Sequence, residues 1–280
     1  MRHAVLIMGH GDPRLAQWTI SQLDDPAVRF FIHWDVRSPQ PSFRATSEIV
    51  YVPPLPVYWG TDSQVRVIRR LFAAALADDE GFGYLHLISG ADLPLMSLPY
   101  FLGFFEKNKG VEFVGFESPP TDCSYRVRYY YPSPKKLNIP RSVVGKVARL
   151  CWTLEPLVGI NRVAPGTTVA KGHAWFSVTS ALAQTTLDFD KIPFDHVYCT
   201  DEVMLQTVLA NTDPSLASVA HGDENTQASR YIDWVRGGPH TFTDADVDEL
   251  MARRNTDFAF CRKVDWSTSG ALRDALAADG

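Results

Sequence analysis

Uninterrupted apolar runs alternate with amphipathic segments through the first hundred residues of this 280-residue chain. Such a run predicts a strand buried on both faces, whereas apolar positions repeating every 3.6 residues predict a helix. The pattern predicts strands at residues 4–8, 29–34, 48–52 and 84–88, with helices at 13–23 and 61–77. Alternating strands and helices are typical of an α/β domain of Rossmann type, in which helices flank a mostly parallel sheet.

The second half has a less regular pattern. It predicts strands at residues 112–116, 174–178, 230–234 and 258–264, and helices that begin at 179, 201 and 244. Residues 118–141 are rich in Pro, Tyr, Arg and Lys and predict a long surface loop, which in compact proteins is often functional. No internal repeat or linker divides the chain, so we expect a single domain over residues 1–280.

Two local signals define predicted helix starts. Asp12 suits an N-cap and Pro13 a first helical residue. Thr61 and Gln64 have the spacing of a capping box.

Charge and cysteine content narrow the class of protein. The net charge of −5 and the pI near 5.9 disfavour a nucleic-acid binder. Four widely spaced cysteines predict free thiols in a reducing compartment. No apolar run approaches the roughly 18–20 residues of a membrane span, and residues 1–10 lack a signal-peptide cleavage site. We therefore expect a cytoplasmic protein without a transmembrane segment, which leaves peripheral membrane contact open.

Polar side chains follow the predicted strands of the first half. His10, Asp35 and Asp92 each come at or just after a strand end, and Tyr58 lies nearby. Ligands of open α/β sheets bind beyond the carboxyl ends of the strands. These residues therefore predict a ligand site along one rim, although each is also explained as part of a capped turn.

Two adjacent carboxylates, Asp201 and Glu202, open the apolar segment 203–209. Acidic residues are favoured in the first turn of a helix, where they complete the hydrogen bonding of the backbone. The alternative is that Glu202 is a general base whose position is fixed by the helix end.

Several other motifs are incomplete. No G-x-G-x-x-G follows the first strand, and Gly145-Lys146 lacks the upstream glycine of a P-loop. Asp244 and Asp246 have the spacing of a divalent-metal pair, but their position suits a helix cap. Residues 10–12, His-Gly-Asp, are similar to a metallophosphoesterase motif whose other ligands are missing, which leaves a metal-dependent phosphoesterase as a minor alternative.

Basic residues recur in the second half of this acidic chain. Fixed Arg and Lys side chains can neutralise a diphosphate through charge-assisted hydrogen bonds. The alternative is a solvated surface, above all for Lys135 and Lys136. The candidates are Arg126, Arg128, Lys135, Lys136, Lys171, Arg230, Arg236, Arg262 and Lys263.

Eight segments, taken in order between residues 4 and 265, resemble one family. They are residues 7–13, 31–35, 57–60, 87–95, 171–176, 201–202, 231–234 and 260–265. The chain resembles the core-2/I-branching β-1,6-N-acetylglucosaminyltransferases, glycosyltransferase family 14, which also holds the peptide O-xylosyltransferases. The resemblance implies a GT-A-like fold without the usual metal-binding Asp-x-Asp, and inversion at the anomeric carbon of a UDP-sugar. It implies neither a metal nor another cofactor.

The resemblance also implies roles for individual residues. Glu202 matches the catalytic base, while Arg236 and Lys263 match the pair that grips the diphosphate. The acceptor contacts would come from Glu117 and from Arg126 or Arg128. The donor would be held by Met8, Gly9, His10, Asp35, Val36, Arg37 and Tyr58, with Asp92 at the same rim. The donor-binding half would be about residues 1–115 and the acceptor half about 116–280.

The chain also departs from the family pattern. Ala174 replaces an acidic residue of the xylosyltransferases, and the chain is short, anchorless and poor in cysteine. We therefore expect a bacterial-type enzyme that transfers a GlcNAc- or xylose-type sugar from UDP to a glycan hydroxyl in polysaccharide or glycoconjugate synthesis. The alternative is a catalytically silent nucleotide-sugar or glycan-binding protein on the same scaffold.

Overall fold

A five-stranded, mostly parallel sheet forms the centre of the computed structural model, which describes residues 1–132, 141–217 and 223–277. Its strand order is β3-β2-β1-β4-β6, and only β6 runs antiparallel. A smaller sheet has the order β5-β8-β7. The strands are β1 (His3–Gly9), β2 (Val28–Trp34), β3 (Ile49–Tyr51), β4 (Tyr84–Ser89), β5 (Asp92–Pro94), β6 (Phe176–Thr179), β7 (Arg230–Ile232) and β8 (Phe260–Arg262).

Helices cover both faces of the central sheet. They are α1 (Arg14–Gln22), α2 (Ser63–Leu76), α3 (Leu98–Lys107), α4 (Tyr125–Arg128), α5 (Arg141–Leu154), α6 (Ser180–Asp188), α7 (Met204–Asn211), α8 (Glu224–Gln227), α9 (Val247–Met251) and α10 (Gly270–Ala277). Short 3₁₀ turns occur at Glu155–Val158, Thr200–Glu202, Pro214–Leu216, Asp244–Asp246 and Trp266–Thr268.

Alternate residues of β1 pack into two different cores. Ala4 and Leu6 belong to the core formed with α2, α6 and α7. Val5 and Ile7 belong to the core formed with α1 and α3. Because successive side chains of a strand point to opposite faces, a strand covered on both sides is apolar at nearly every position. The apolar runs of the sequence therefore predicted the central strands correctly, and the fold is α/β and consistent with a GT-A-like glycosyltransferase.

The prediction of a strand at residues 112–116 was wrong. Only isolated bridges form there, at Glu112 and Phe113. The backbone changes partner too often for a strand, because Glu112 N–H donates to Leu216, Phe113 pairs with Ser177, and Glu117 N–H donates to Lys171.

The predicted loop at residues 118–141 contains a helix, α4. The buried Val127 anchors it in a small apolar cluster with Cys123 and Val203. Residues 133–140, which include Lys135 and Lys136, lie outside the described residues. The helices α3, α5, α8 and α10 were not predicted.

The interpretation as cap residues is confirmed for Asp246, whereas the Asp244 carboxylate accepts a hydrogen bond from Leu272 N–H in α10. The Thr243 hydroxyl accepts a hydrogen bond from Ala245 N–H, and Asp246 accepts one from Thr243 N–H, which is a capping box. All four cysteines are free thiols. Among the described helices, none has the length and apolarity needed to cross a bilayer.

Arg230, a candidate anion-binding residue, is instead part of the core. Its guanidinium is 1% exposed and donates to the carbonyls of Leu87, Phe176 and Ala228. A buried charge needs several hydrogen bonds to offset its lost hydration. Arg230 therefore ties β4, β6 and β7 together.

Glu112 gives the fold a pH-dependent element. Its carboxylate is 1% exposed and accepts hydrogen bonds from Thr179 N–H (2.8 Å) and the Thr179 hydroxyl (2.5 Å) at the start of α6. Burial raises the pKa of Glu112 from 4.5 to about 7 despite these hydrogen bonds. The folded chain therefore holds the proton more tightly than the unfolded chain does.

We predict that the stability advantage of the parent over Glu112→Gln falls as the pH rises from 4.5 to about 7. A carboxyl group whose pKa is raised by folding stabilises the folded state fully at a pH below its pKa in the unfolded chain. This stabilisation, on the order of 3 kcal/mol, is lost as the pH rises through the pKa of the folded chain. Urea unfolding of both proteins across this range measures it. Glu80→Gln, at a side chain 75% exposed, is the control. A parent–variant difference independent of pH would contradict the prediction.

Candidate active site

A cleft of about 370 Å³ opens at the carboxyl ends of β1, β2 and β4. It is the place that the strand-end residues predicted. Its lining comprises Met8, Gly9, His10, Asp35, Arg37, Val57, Tyr58, Trp59, Gln64, Ser89, Trp175 and Arg262. Three of the five strands of the central sheet, and β8 of the smaller sheet, therefore contribute to one cleft.

Asp35 organises one wall of the cleft. It accepts hydrogen bonds from the backbone N–H groups of Arg37 (2.8 Å) and Val57 (3.0 Å) and from Arg37 Nε (3.0 Å). Burial opposes ionisation of Asp35, but these hydrogen bonds outweigh it and lower the pKa of the carboxyl below its usual value. Arg37 also lies over the Tyr58 ring, 4.6 Å from its centroid. Val36 is half exposed.

Gly9 allows an aromatic ring to pack against the end of β1. A Cβ at this position would lie 2.0 Å from the Trp34 ring. Trp34 is itself almost completely buried in the core beside α1 and α3. The glycine at the rim is therefore required for packing as well as lining the cleft.

Arg262 forms the opposite wall. Its guanidinium donates to Asp92 (2.7 Å) and to the Ser89 hydroxyl, and lies 4.0 Å from the centroid of the Trp175 ring. Asp92 is 1% exposed and also accepts from Ser89 N–H at 2.7 Å. Asp92 therefore lies behind Arg262 and orients it, while Arg262 itself faces the cleft.

Glu202 lies in the 3₁₀ turn that precedes α7 and pairs with Arg126. Arg126 donates to the Glu202 carboxylate at 2.7 Å and to the Cys199 carbonyl at 3.0 Å. Burial disfavours the charge of Arg126, but Glu202 raises the pKa of the guanidinium. The Glu202 side chain is 40% exposed, so the carboxylate is fixed on one side and open on the other.

Gln64 connects this turn to the cleft. Its amide donates to Asp201 at 2.8 Å, and its carbonyl accepts from Gly60 N–H at 3.1 Å. Burial, followed by the charge of Glu202, raises the pKa of Asp201 to about 7. The predicted capping box was wrong, because Asp62 is the N-cap of α2 and its side chain makes no capping hydrogen bond. The Thr61 hydroxyl accepts from Ser63 N–H, and the Gln64 side chain bonds to Gly60 and Asp201 instead.

A second set of polar residues lies near Glu202. Lys171 pairs with Glu117 at 2.6 Å, and this hydrogen bond lowers the pKa of Glu117. Burial raises the pKa of Glu224, and the nearby charges of Glu117 and Glu202 raise it further. Arg128 is half-buried on α4. The structure therefore groups predicted acceptor residues with Glu224, which was not predicted.

The structure does not bring Arg236 to the cleft. Its guanidinium pairs with Asp233 and, at 2.7 Å each, with Asp246 and Glu249. Lys263 is exposed and directly follows Arg262, which does line the cleft.

A family model of the Core-2/I-Branching enzymes matches residues 4–253. The chain belongs to this family. It is a glycosyltransferase family of the acetylglucosaminyltransferase type. The curated proteins contain no significant match to the chain.

Five residues that line the cleft of this glycosyltransferase were not among the predicted site residues, and Arg262 was predicted only as one of several candidate cations. The five are Val57, Trp59, Gln64, Ser89 and Trp175. All of these except Gln64 lie, like Arg262, within the matched segments 57–60, 87–95, 171–176 and 260–265, so their positions carried a signal. Gln64 carried only the signal of a helix cap.

Two further features of the glycosyltransferase bear on its site. Across residues 1–132, 141–217 and 223–277, no group of three or more His, Cys, Asp or Glu side chains is arranged to hold a metal ion. A larger cavity of about 750 Å³ lies between α3 and the residues Thr226 and Asp257. None of the predicted site residues lines it, so the smaller cleft is the candidate active site.

We predict that Gly9→Ala destabilises the protein by about 1–3 kcal/mol, because the added methyl group overlaps the buried Trp34 ring. Urea unfolding measures the change. Gly103→Ala is the matched control, since a Cβ on this residue of α3 meets no atom within 4 Å. Equal stability of Gly9→Ala and the parent would show that the close packing at Gly9 is not required.

Proposed function

We propose that this glycosyltransferase moves a GlcNAc- or xylose-type sugar from a UDP-sugar to a glycan hydroxyl, with inversion and without a metal ion. The observation that carries the proposal is the position of Glu202. Its carboxylate is held by Arg126 and is 40% exposed, and Gln64 connects its turn to the cleft through Asp201. A fixed, accessible carboxylate whose neighbour Asp201 is hydrogen-bonded to a residue lining a nucleotide-sized cleft suits a general base.

The donor nucleotide would occupy the cleft. Met8, Gly9 and His10 would contact the uridine side at the end of β1, and Tyr58, stacked with Arg37, offers an aromatic wall. Val36 follows Asp35 on the same loop and would contribute its backbone.

Arg262 would bind the diphosphate. Its guanidinium is already oriented by Asp92 and by the Trp175 ring, so little reorganisation is needed when charge develops on the leaving group. Lys263 follows it directly and would add a second cation. Arg236 would first have to leave three carboxylates, so we assign the diphosphate to Arg262 and Lys263.

The reaction would be a single displacement at the anomeric carbon. The acceptor oxygen forms its bond on the face opposite UDP while the bond to the phosphate oxygen breaks, through a transition state of oxocarbenium character. Glu202 takes the proton of the acceptor hydroxyl, and UDP leaves with the bonding electron pair. Arg262 stabilises the charge that UDP gains.

The acceptor would bind beside Glu202. Glu117, Lys171 and Glu224 offer hydrogen-bond donors and acceptors for sugar hydroxyls close to the proposed base. Arg126 would hold the Glu202 carboxylate in its orientation, and Arg128 would lie at the edge of this surface.

We predict that Glu202→Gln lowers kcat by about 10²–10⁴-fold, because the amide cannot accept the hydroxyl proton. Binding of UDP should persist, since the variant keeps an oxygen that can accept from Arg126. Initial rates of UDP release in the presence of acceptor measure the effect. Glu48→Gln, at an exposed side chain, is the control. Transfer at the parent rate by a folded Glu202→Gln protein would remove Glu202 as the base.

We predict that UDP raises the Tm of the protein equally with EDTA and with Mn²⁺. A ligand that binds the folded state raises the Tm, and in the proposed mechanism UDP binds without a metal ion, so removing metal should not change the shift.

Arg262→Gln should weaken UDP binding about 10–100-fold through the lost charged hydrogen bonds. Arg236→Gln should bind like the parent. Each variant is compared with its own ligand-free Tm. A shift that requires Mn²⁺ would overturn the metal-free mechanism, and a loss confined to Arg236→Gln would reverse the assignment of the diphosphate.

A further inference from the structure

Exposed apolar side chains form a row along α5 and the 3₁₀ turn that follows it. Leu157 is 79% exposed, Val158 74% and Leu150 57%. Residues 143, 147, 150 and 154 are spaced so that they share one face of the helix. We call the row the α5 surface, which consists of Val143, Val147, Leu150, Leu154, Leu157 and Val158. Contiguous exposed apolar surfaces of this kind mark interaction sites.

The opposite face of α5 fixes the orientation of the helix. Ala148 is buried with Tyr129 and Tyr131 in a small apolar cluster. The Trp152 ring packs edge-on against Tyr125, with ring centroids 4.7 Å apart. Because the aromatic face is already packed against the protein, the α5 surface is directed outward.

The charge around the α5 surface favours an anionic lipid partner. Lys146 and Arg149 are exposed on its flank. Residues 141–158 contain three basic residues and one acidic residue, a net charge of +2 in a chain whose overall charge is −5. A helix with an apolar face and basic flanks binds membranes both by burying apolar side chains and by attraction to anionic lipids. A symmetric contact between two copies would instead bring the basic flanks together, which is unfavourable.

The α5 surface lies next to the acceptor side of the candidate active site. The Trp152 ring packs edge-on against the Tyr198 ring, with centroids 6.4 Å apart. The Tyr198 ring packs edge-on against Trp59, with centroids 6.5 Å apart. Trp59 lines the cleft, and Tyr198 N–H donates to the Arg126 carbonyl at 2.9 Å. One aromatic wall therefore separates the helix from the cleft.

We propose that the α5 surface docks on an anionic phospholipid membrane, which places the acceptor side of the cleft close to the lipid headgroups. Docking does not depend on the proposed function, because it requires only the apolar and basic residues of the helix. Failure of the transfer assays would leave it standing, and failure of docking would leave the transfer mechanism standing.

Flotation of the full chain with vesicles of phosphatidylcholine, with and without 30 mol% phosphatidylglycerol, tests the proposal. We expect binding to the anionic vesicles that weakens in about 0.5 M salt, where the charge attraction is screened. Leu150→Glu/Leu157→Glu should lower partitioning by about tenfold or more. Val235→Glu, at a side chain 97% exposed elsewhere on the protein, should bind like the parent.

A measurement on the parent chain keeps the test independent of how the variants fold. Hydrogen exchange at residues 141–158 should slow on anionic vesicles, while exchange in α3 stays unchanged. Absence of parent binding would overturn the proposal, as would an equal loss in Val235→Glu. A dimer in solution that Leu150→Glu/Leu157→Glu dissociates, together with no vesicle binding, would assign the surface to a second copy of the chain.

Discussion

The burial of β1 on both faces is the constraint on which the rest of the structure depends. Ala4 and Leu6 pack into one core and Val5 and Ile7 into the other, and the one polar side chain before the strand end, His3, is buried and paired with His86 at 3.0 Å. Polar side chains that are open to a ligand therefore begin where the strand ends. Since β1, β2 and β4 are parallel, their ends meet at one edge, and the cleft forms there.

Pairing of opposite charges then determines how the site is organised. Asp92 orients Arg262 and Arg126 holds Glu202, at 2.7 Å in each case. In the first pair the carboxylate of Asp92 is buried and the guanidinium of Arg262 faces the cleft. In the second pair the carboxylate of Glu202 is more exposed than the guanidinium of Arg126. In the proposed mechanism, the same kind of ion pair therefore presents a cation to the diphosphate and a carboxylate to the acceptor hydroxyl. Both groups are fixed before any ligand binds, which is the condition for electrostatic catalysis.

Close backbone contacts join the part of the chain that carries Glu202 to the central sheet. A Cβ on Gly172 would lie 1.8 Å from the Gly115 carbonyl oxygen, so only glycine fits. Gly172 N–H donates to the Glu202 carbonyl at 2.9 Å. The segment that leads into β6 thus supports the turn of the proposed base. The close packing of Gly172 against Gly115 therefore helps to fix the position of Glu202.

The sequence alone determined the central strands, the caps at Thr243 and Asp246, and the strand-end residues of the cleft. Each of these follows from local rules, namely burial on two faces, helix-end hydrogen bonding and parallel strand direction. Only the tertiary structure decided which of the candidate cations in the second half of the chain reaches the cleft. Arg230, Arg236 and Arg262 look alike in the sequence, but the first is buried among carbonyls, the second is bound by three carboxylates, and the third faces the cleft. That choice depends on partners distant in the chain, such as Asp92 for Arg262, and residue type and spacing carry no record of such contacts.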